Sequence, residues 1–345
     1  DEKIGEIYGR IASDLATSFL GHDTLDLPSH VRALIVDGES RDVVREGEEV
    51  GVVVEETPFY AESGGQVGDC GTIMAPAGRV EVRDTQRPSG ELVVHQGRVV
   101  EGALKVEERV DLAVDREARA ATVRNHSGTH LLHAALRSVL GPQAMQKGSL
   151  VAPDRLRFDF THDAPLSEVE MREIEDMVNG WVEANASART RETSYDEAIE
   201  AGAMAIFEEK YGDRVRVVSF GDFSTELCGG THCQTTGEIG LFQVTSEKAS
   251  SAGVRRIVAE TRTRSMERVR ALREVTSALS KQLGVPAAQL PARVEKLMAE
   301  NKKLRKGGGQ AQADIGGLRS QLLKDAEQVG GVHLIFARVD ALNAK

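Results

Sequence analysis

Apolar residues along this chain follow two different periods, and the changes from one period to the other divide the chain into predicted elements. Near the start they recur every three or four positions, which predicts an amphipathic helix over residues 3–20. Further along, short β-rich runs are separated by glycine, proline and aspartate, a pattern typical of a small β-barrel. The predicted barrel strands cover residues 31–36, 50–55, 71–74, 80–83, 92–95 and 110–114.

The stretch from residue 116 to residue 262 mixes helical and strand-like periods, which predicts an α+β domain. One helix is predicted to have Asn125 as its N-cap and to end at Leu140. A second helix is predicted over residues 167–190, where a Ser-x-x-Glu capping-box pattern begins. The predicted strands cover residues 156–160, 214–220, 240–246 and 255–260.

After residue 262, apolar residues recur at alternating spacings of three and four, in two runs. The runs are Val269, Leu272, Thr276, Leu279 and Leu283, and then Leu290, Val294, Leu297, Asn301 and Leu304. The segment between them, from Gly284 to Pro291, predicts a helical hairpin whose coiled-coil pairing lies within the chain or with a second chain. Glycines at 307–309 weaken the second helix, and residues 332–339 form one more strand-like run.

Together these patterns predict an α+β multidomain chain with a small β-barrel, an α+β domain and a helical hairpin or coiled coil. The predicted segments are 1–22 as the end of a helical domain, 23–115 as the barrel, 116–262 as the α+β domain, 263–328 as the hairpin and 329–345 as the start of a further domain. Because the chain starts at Asp1 with a helical pattern already under way, we expect it to be part of a longer protein.

Composition narrows the class of protein. The chain has 345 residues, of which 40% are hydrophobic and 28% charged, values that are ordinary for a globular protein in water. No apolar run approaches the roughly 18 residues that a membrane span needs, and no signal-peptide pattern opens the chain. Three cysteines cannot form a disulfide framework, which favours a reducing compartment, and we expect the cytoplasm.

Charge argues against indiscriminate nucleic-acid binding, because the formal net charge is −11. Residues 247–274 are an exception, with eight basic and four acidic side chains. This segment is either a phosphate-facing surface or a solvated helix face with ion pairs, and the sequence leaves both readings open.

Two pairs of metal-ligating residue types share one spacing. His126 and His130 are four positions apart, as are Cys228 and His232, so each pair can direct both side chains at one point. Three imidazoles and one thiolate form the donor set that a tetrahedral zinc ion prefers. Four protein ligands are typical of a structural ion, whereas an ion that activates water must lose a ligand or expand its coordination. The number of ligands alone therefore does not decide whether the ion is structural or catalytic.

The other chemically reactive side chains nearby are given lesser roles. We expect His133 to support a neighbouring residue or to pack, and Cys233 to be a buried small residue or a bystander. Cys70, in the predicted barrel, is assigned no role.

Several long motifs resemble the alanyl-tRNA synthetase family, in particular its editing superfamily, over essentially the whole chain. They are residues 59–69 (FYAESGGQVGD), 124–136 (RNHSGTHLLHAAL), 146–160 (QKGSLVAPDRLRFDF), 226–232 (ELCGGTH) and 253–257 (GVRRI). The resemblance implies the end of the family's tRNA-recognition helices, its barrel, its editing domain and its helical hairpin. The ATP-binding aminoacylation domain, which attaches alanine to tRNA(Ala), would lie before Asp1.

The resemblance also implies roles for particular residues. His126, His130, Cys228 and His232 would bind Zn²⁺, and all four residue types match the family. Other residues would face the substrate: Thr129 would contact the hydroxyl of a misplaced serine, Gln146 would face the editing pocket, and the Gly64-Gly65-Gln66 loop would approach the pocket or the tRNA end. Lys248, Arg255 and Arg256 are candidates for binding tRNA phosphates, while Cys233 departs from the small aliphatic residue expected at its position.

The implied reaction is hydrolysis of serine or glycine from mischarged tRNA(Ala). A synthetic pocket cannot strongly reject an isostere that adds a hydroxyl, so a second site destroys the product. Either zinc polarises the ester or generates hydroxide, or it orients the substrate for attack by a water molecule held by side chains, and the second is favoured because four ligands crowd the ion.

Three other functions remain open at this point. The protein could be a free-standing deacylase that edits in trans, or a zinc-stapled module that binds tRNA or dimerises without catalysis. A small-molecule metallohydrolase is a more distant alternative. A homodimer through the C-terminal region of a longer protein is a further expectation.

Overall fold

A computed structural model of the protein describes residues 2–205, 212–324, 326–329 and 332–334. The chain forms two compact units, Asp1–Arg268 and Val269–Lys345. Among the described residues, no helix combines the length and the apolar character that crossing a membrane requires.

The first part of unit 1 is a closed six-stranded antiparallel barrel with one helix and four short strands around it. Its elements are α1 (Glu2–Asp14), β1 (Ser18–Phe19), β2 (Asp26–Val36), β3 (Glu39–Arg41), β4 (Val43–Arg45), β5 (Glu49–Val54), β6 (Glu56–Thr57), β7 (Gly71–Ala75), β8 (Gly78–Ser89), β9 (Leu92–Lys105) and β10 (Arg109–Val114). The barrel order is β10-β7-β8-β9-β5-β2, and β10 pairs with β2 to close it. Leu112, for example, is opposite Leu27 on one side and Ile73 on the other.

Valine, isoleucine and leucine make up most of the barrel core, together with Phe59, in keeping with the low aromatic content of the chain. On the outside, Ile7, Ile11 and Leu15 of the α1 segment pack against Ile35 and Val94. The amphipathic pattern near the start of the chain therefore covers an outer face of the barrel.

The second part of unit 1 is an α+β domain. Its elements are α2 (Arg116–Leu140), β11 (Gln146–Val151), β12 (Leu156–Thr161), α3 (Glu168–Glu183), β13 (Ala188–Ser194), α4 (Tyr195–Glu200), β14 (Arg214–Phe220), β15 (Ser224–Leu227), β16 (Phe242–Ser251) and β17 (Val254–Thr261). They form a four-stranded antiparallel sheet, β11-β12-β17-β16, and a three-stranded one, β13-β14-β15. A core that includes Leu131, Phe158, Ile174 and Phe220 joins both sheets to α2 and α3.

Three helix boundaries differ by several residues from the sequence prediction. Helix α2 begins after Asp115, whose carboxylate accepts hydrogen bonds from the N–H groups of Glu117 and Ala118, so Asn125 is inside the helix and is not its N-cap. The predicted first helix stops at Asp14, before the short strand β1. Helix α3 ends at Glu183, well before residue 190, because the chain turns at Asn185 with a φ of 49° and continues as β13.

Helix α5 (Arg262–Leu283) begins in unit 1, and unit 2 continues with α6 (Leu290–Lys324) and the antiparallel pair β18 (Glu327–Val329) and β19 (Val332–Leu334). The helix α6 runs through the glycines at 307–309 without a break. Several apolar side chains predicted to form the heptad seam are exposed, among them Leu272, Val294 and Leu304. Coiled-coil pairing stays a prediction, and residues 335–339 of the last predicted strand lie outside the described residues.

Candidate metal centre

One face of α2 carries three histidines one helical turn apart. His126, His130 and His133 are all at least nine-tenths buried, and they point from the middle of the helix toward the end of β15. The spacing of four and then three residues places them on one side of the helix. This face is buried because apolar residues of the same helix, such as Leu132 and Leu136, pack into the domain core.

The second pair of candidate ligands is on the loop that follows β15. The Arg216 guanidinium fixes this loop, since its Nη1 donates to the carbonyl oxygens of Cys228 and Gly230 at 3.0 and 2.9 Å. Gly230 passes close to the ring of His126, so that an added Cβ would lie 2.5 Å from His126 Nδ1. Glycine therefore lets the loop approach the helix closely enough to bring the two pairs together.

The two pairs converge on one point. One ligand atom from each of His126, His130, Cys228 and His232 lies within 4.8 Å of all the others. Cys228 Sγ is 3.4 Å from His126 Nε2 and 3.3 Å from His232 Nε2. Tetrahedral zinc bonds to sulfur and nitrogen imply ligand separations of about 3.5 Å. The group can thus hold a metal ion, and its donors and their spacing fit zinc.

Buried side chains lie directly behind two of the three imidazoles. Gln66 Oε1 lies 2.7 Å from Nδ1 of His126, and Glu226 Oε2 lies 2.8 Å from Nδ1 of His130. The other oxygen of Glu226 is 2.9 Å from Nδ1 of His133. Partners of this kind orient metal-binding histidines and leave the opposite nitrogen free to coordinate.

The surroundings of the site favour the ionised forms of the Glu226 carboxyl and the Cys228 thiol. Burial raises the pKa of the Glu226 carboxyl, but the adjacent His130 and His133 outweigh that effect and lower it to about 2. Burial likewise raises the pKa of the Cys228 thiol, and the imidazoles of His126 and His232 overcome it, so the pKa is held well below its ordinary value. The pKa of His232 is lowered to about 3, first by burial and then by His126. A thiolate beside a neutral imidazole is the form in which both residues bind metals.

A cavity of about 260 Å³ opens beside the four candidate ligands. Besides three of the ligands, its lining consists of Tyr60, Ser63, Gly64, Thr129, Gln146, Ser149, Glu226, Leu227, Gly229 and Gly230. Residues of the barrel, of α2 and of β11 thus share one enclosure. Thr129 Oγ1 donates to the backbone carbonyl of Asn125 at 2.8 Å, which leaves the lone pairs of the hydroxyl oxygen as acceptors.

The other predicted site residues have different surroundings. Gln146 lines the cavity and its amide donates to Ser149 Oγ at 3.2 Å. Arg255 and Arg256 are not among the residues that line the cavity, and each forms a two-bonded ion pair, with Glu247 and Asp159 respectively. Lys248 is exposed on β16.

The sequence pattern gave no role to Glu226. It predicted that Gln66, as part of the Gly64-Gly65-Gln66 loop, approaches the pocket or the tRNA end. Glu226 stands two positions before a candidate ligand in a strand, and a buried carboxylate near metal-binding histidines is a recognisable signal. His133 supports Glu226, as expected of a neighbouring residue. Cys233 is only 3% exposed and is not one of the four clustered groups, and burial raises the pKa of its thiol to about 11.

Comparison with protein families identifies the class to which this architecture belongs. Residues 5–118 match the family of class II (A) tRNA synthetases. Residues 215–258, which include two of the candidate ligands, match the second additional domain of threonyl and alanyl tRNA synthetases. The chain is thus related to class II aminoacyl-tRNA synthetases.

Individual relatives define the family. The chain is 46% identical over 334 residues to the alanine–tRNA ligase of Nitratidesulfovibrio vulgaris, covering 96% of this chain and 38% of that protein. It is 48% identical over 328 residues to that of Sorangium cellulosum, covering 91% of this chain and 35% of that protein. The chain belongs to the alanine–tRNA ligase family, and it spans a little over a third of the length of these relatives.

Proposed function

We propose that this part of the protein hydrolyses serine or glycine from mischarged tRNA(Ala) at a zinc site formed by His126, His130, Cys228 and His232. The observation that carries the proposal is the convergence of these four ligand atoms within 4.8 Å beside an enclosed cavity. Membership of the alanine–tRNA ligase family supplies the substrate class. In the longer protein, we propose, an upstream domain attaches alanine to tRNA(Ala) with ATP, in the cytoplasm.

The cavity suits the discrimination that editing requires. Alanine and serine differ by one hydroxyl group, so an editing pocket gains selectivity only from a polar group that contacts that hydroxyl. Thr129 is such a group, because it lines the cavity and its own hydrogen is used by Asn125. Its oxygen would accept a hydrogen bond from the hydroxyl of a bound serine.

Other groups would position the ester. The Gln146 amide faces the same cavity and supplies a donor and an acceptor. Bound zinc would supply Lewis acidity to polar groups of the substrate. With four protein ligands in place, we favour orientation of the substrate at the metal over generation of hydroxide there.

The nucleic acid would approach from the barrel and sheet side of the cavity. Gly64 lines the cavity and Gly65 follows it, so this loop would lie against the terminal ribose. Lys248 is exposed to solvent and would contact a phosphate. Arg255 and Arg256 would do so only if phosphate oxygens share or displace their carboxylate partners.

The decisive experiment has two parts. The whole chain is incubated separately with seryl-tRNA(Ala) and with alanyl-tRNA(Ala), and the metal content of the purified protein is measured. We expect zinc near one equivalent and release of serine but not of alanine. Cys228→Ala and His126→Ala should lose both zinc and serine release, whereas Cys70→Ala, a half-buried thiol in the barrel, should retain both.

The alternatives give different results. A zinc-stapled binding module predicts tightly bound tRNA and zinc with no serine release by the wild-type chain. That outcome would overturn the proposed hydrolysis. A small-molecule hydrolase predicts that simple esters are cleaved while mischarged tRNA is not.

A further inference from the structure

We propose that Gln66, a barrel residue, is a positioning residue for the metal centre: it sets the orientation and tautomer of His126 and fixes the ligand loop at Thr231. This inference rests on the proposed zinc site, but it concerns a side chain that is neither one of the four candidate ligands nor part of the cavity lining. The Gln66 side chain is 0% exposed and touches both ligand-bearing segments.

The amide of Gln66 joins the two segments through three hydrogen bonds. Its Oε1 lies 2.7 Å from His126 Nδ1 and accepts from the backbone N–H of Thr231 at 3.1 Å. Its Nε2 donates to Thr231 Oγ1 at 2.9 Å. Thr231 directly precedes the ligand His232, so one amide contacts a ligand on α2 and the neighbour of a ligand on the loop.

The directions of these bonds assign the tautomer of His126. A backbone N–H is always a donor, so the Gln66 atom that faces Thr231 N must be the amide oxygen. That same oxygen faces His126 Nδ1, and an amide oxygen cannot donate. Nδ1 therefore carries the hydrogen, and the lone pair of a neutral His126 is at Nε2, the nitrogen 3.4 Å from Cys228 Sγ.

Backbone hydrogen bonds within the loop and to β11 hold Gln66 in place. The N–H and C=O groups of Gln66 pair with those of Ser63 at 3.0 and 3.1 Å. On either side of it, the Gly65 carbonyl accepts from Val151 N at 2.7 Å, and Val67 N donates to the Val151 carbonyl at 3.0 Å. The loop is thus bonded to the end of β11, which fixes the backbone from which the amide extends.

The two loops pack closely around this side chain. Gly65 has a φ of +89°, and a Cβ there would lie 2.8 Å from the backbone oxygen of Ser149. Across the site, a Cβ at Gly230 would lie 2.9 Å from Gln66 Oε1. Gly65 and Gly230 therefore allow the barrel loop and the ligand loop to meet around the amide.

The test compares two variants of the whole chain. Gln66→Met keeps the length of the side chain and removes its hydrogen-bonding groups. Gln66→Glu keeps an acceptor for both His126 and the Thr231 N–H, while the Thr231 hydroxyl can rotate to donate. Gln86→Met, which alters another barrel amide bonded to Glu62 and Asp84, is the matched control.

The readouts are the zinc dissociation constant, by competition with a chelator, and the visible absorption spectrum of the cobalt-substituted protein. We expect Gln66→Met to weaken zinc binding about 10- to 100-fold and to change the cobalt spectrum. Gln66→Glu and Gln86→Met should stay within a few-fold of wild type. Circular dichroism of each variant verifies folding.

Two results would overturn the inference. One is wild-type zinc affinity and cobalt spectrum in Gln66→Met; the other is a loss in Gln66→Glu as large as that in Gln66→Met. If Gln66→Met does not fold, Thr231→Val replaces it, since it removes one of the three bonds and should weaken zinc binding several-fold.

The metal readout separates this inference from the proposed function. If the wild-type chain binds zinc but does not release serine, the hydrolytic function fails while the Gln66 comparison still decides the positioning role. If the wild-type chain releases serine and Gln66→Met binds zinc normally, only the positioning role fails. A wild-type chain that binds no zinc overturns both.

Discussion

Arg119 in the first turns of α2 and Asp69 in the barrel loop form a buried ion pair, with side chains only 4% and 5% exposed. Arg119 Nε donates to Asp69 Oδ1 at 2.9 Å, and its two terminal nitrogens also donate to the carbonyl oxygens of Gly21 and Pro58 at 2.8 Å. Asp69 accepts in turn from Tyr60 N at 2.6 Å. The pair joins the start of the ligand-bearing helix to the barrel.

Removing one member of this pair should strongly destabilise the protein. Arg119→Met leaves the Asp69 carboxylate buried without its cation, and a cost of about 3–5 kcal/mol in the free energy of unfolding is expected. Urea unfolding followed by circular dichroism measures it. Arg83→Met, which breaks exposed ion pairs of the barrel, should cost much less than this. Equal losses in the two variants would contradict a special role for the buried pair.

Gly230→Ala should damage the metal centre, whereas Gly229→Ala should not. A Cβ at Gly230 would lie 2.5 Å from His126 Nδ1, while a Cβ at Gly229 has nothing within 4 Å. The first variant must move either the ligand loop or the imidazole, so we expect zinc affinity to fall at least 10-fold. Chelator competition compares the two. Similar affinities would show that the loop shifts without cost.

Thr129→Val should lower the release of serine more than the release of glycine. Valine keeps the shape of threonine and removes the oxygen that would accept from serine, a contact worth about 1–3 kcal/mol, or roughly 5- to 150-fold in rate. Glycine has no hydroxyl, so its release should change little. Thr129→Ser, which retains the hydroxyl, is the control. An equal fall on both substrates would assign Thr129 to the helix backbone alone.

His95 should make the barrel sensitive to acid. It is fully buried, with Nδ1 2.9 Å from the Val52 carbonyl and Nε2 2.7 Å from Thr57 Oγ1. Burial lowers its pKa from 6.5 to about 4, although the bond to Val52 opposes the shift.

The sign of the pH effect follows from proton binding. Between pH 6.5 and about 4 the unfolded chain binds a proton at this histidine and the folded chain does not, so stability falls as the pH drops, by up to about 1.4 kcal/mol per pH unit. Above that window the group contributes no pH dependence. Urea unfolding of wild type and His95→Gln at pH 5 and pH 7 checks this. The variant should have the shallower slope, and parallel slopes would contradict the assignment.

Periodicity predicted the barrel strands well because each buried strand alternates or runs apolar between clear turn signals. It failed at α2, whose first turns carry mainly polar residues and alanine, so no apolar stripe marked the true start. Asn125 resembles a cap in sequence, yet its amide donates to the Ala152 carbonyl and its oxygen accepts from Thr261. These two partners of Asn125 are 27 and 136 positions away along the chain, so the local sequence around Asn125 does not reveal them.

The candidate ligands were predictable because residue type and spacing restrict metal sites narrowly. Which side chains stand behind the histidines was harder to predict, because these partners are distant in sequence from the histidines that they contact. Gln66 and Glu226 are 60 residues and 96 residues from the nearest candidate histidine on α2, counting from 66 to 126 and from 130 to 226. Only the folded chain shows that a barrel amide and a strand carboxylate stand behind them.

The bonding of the Gly65–Val67 segment to the tip of β11 has a practical consequence for dissecting this protein. A fragment cut at the end of the barrel would retain all four candidate ligands, yet His126 would lose the amide at its back, β11 would lose its neighbouring backbone, and Arg119 would lose its counterion. Such a fragment would carry the complete set of ligands without these supporting contacts, so a fragment meant to keep the metal centre intact should begin upstream of the barrel.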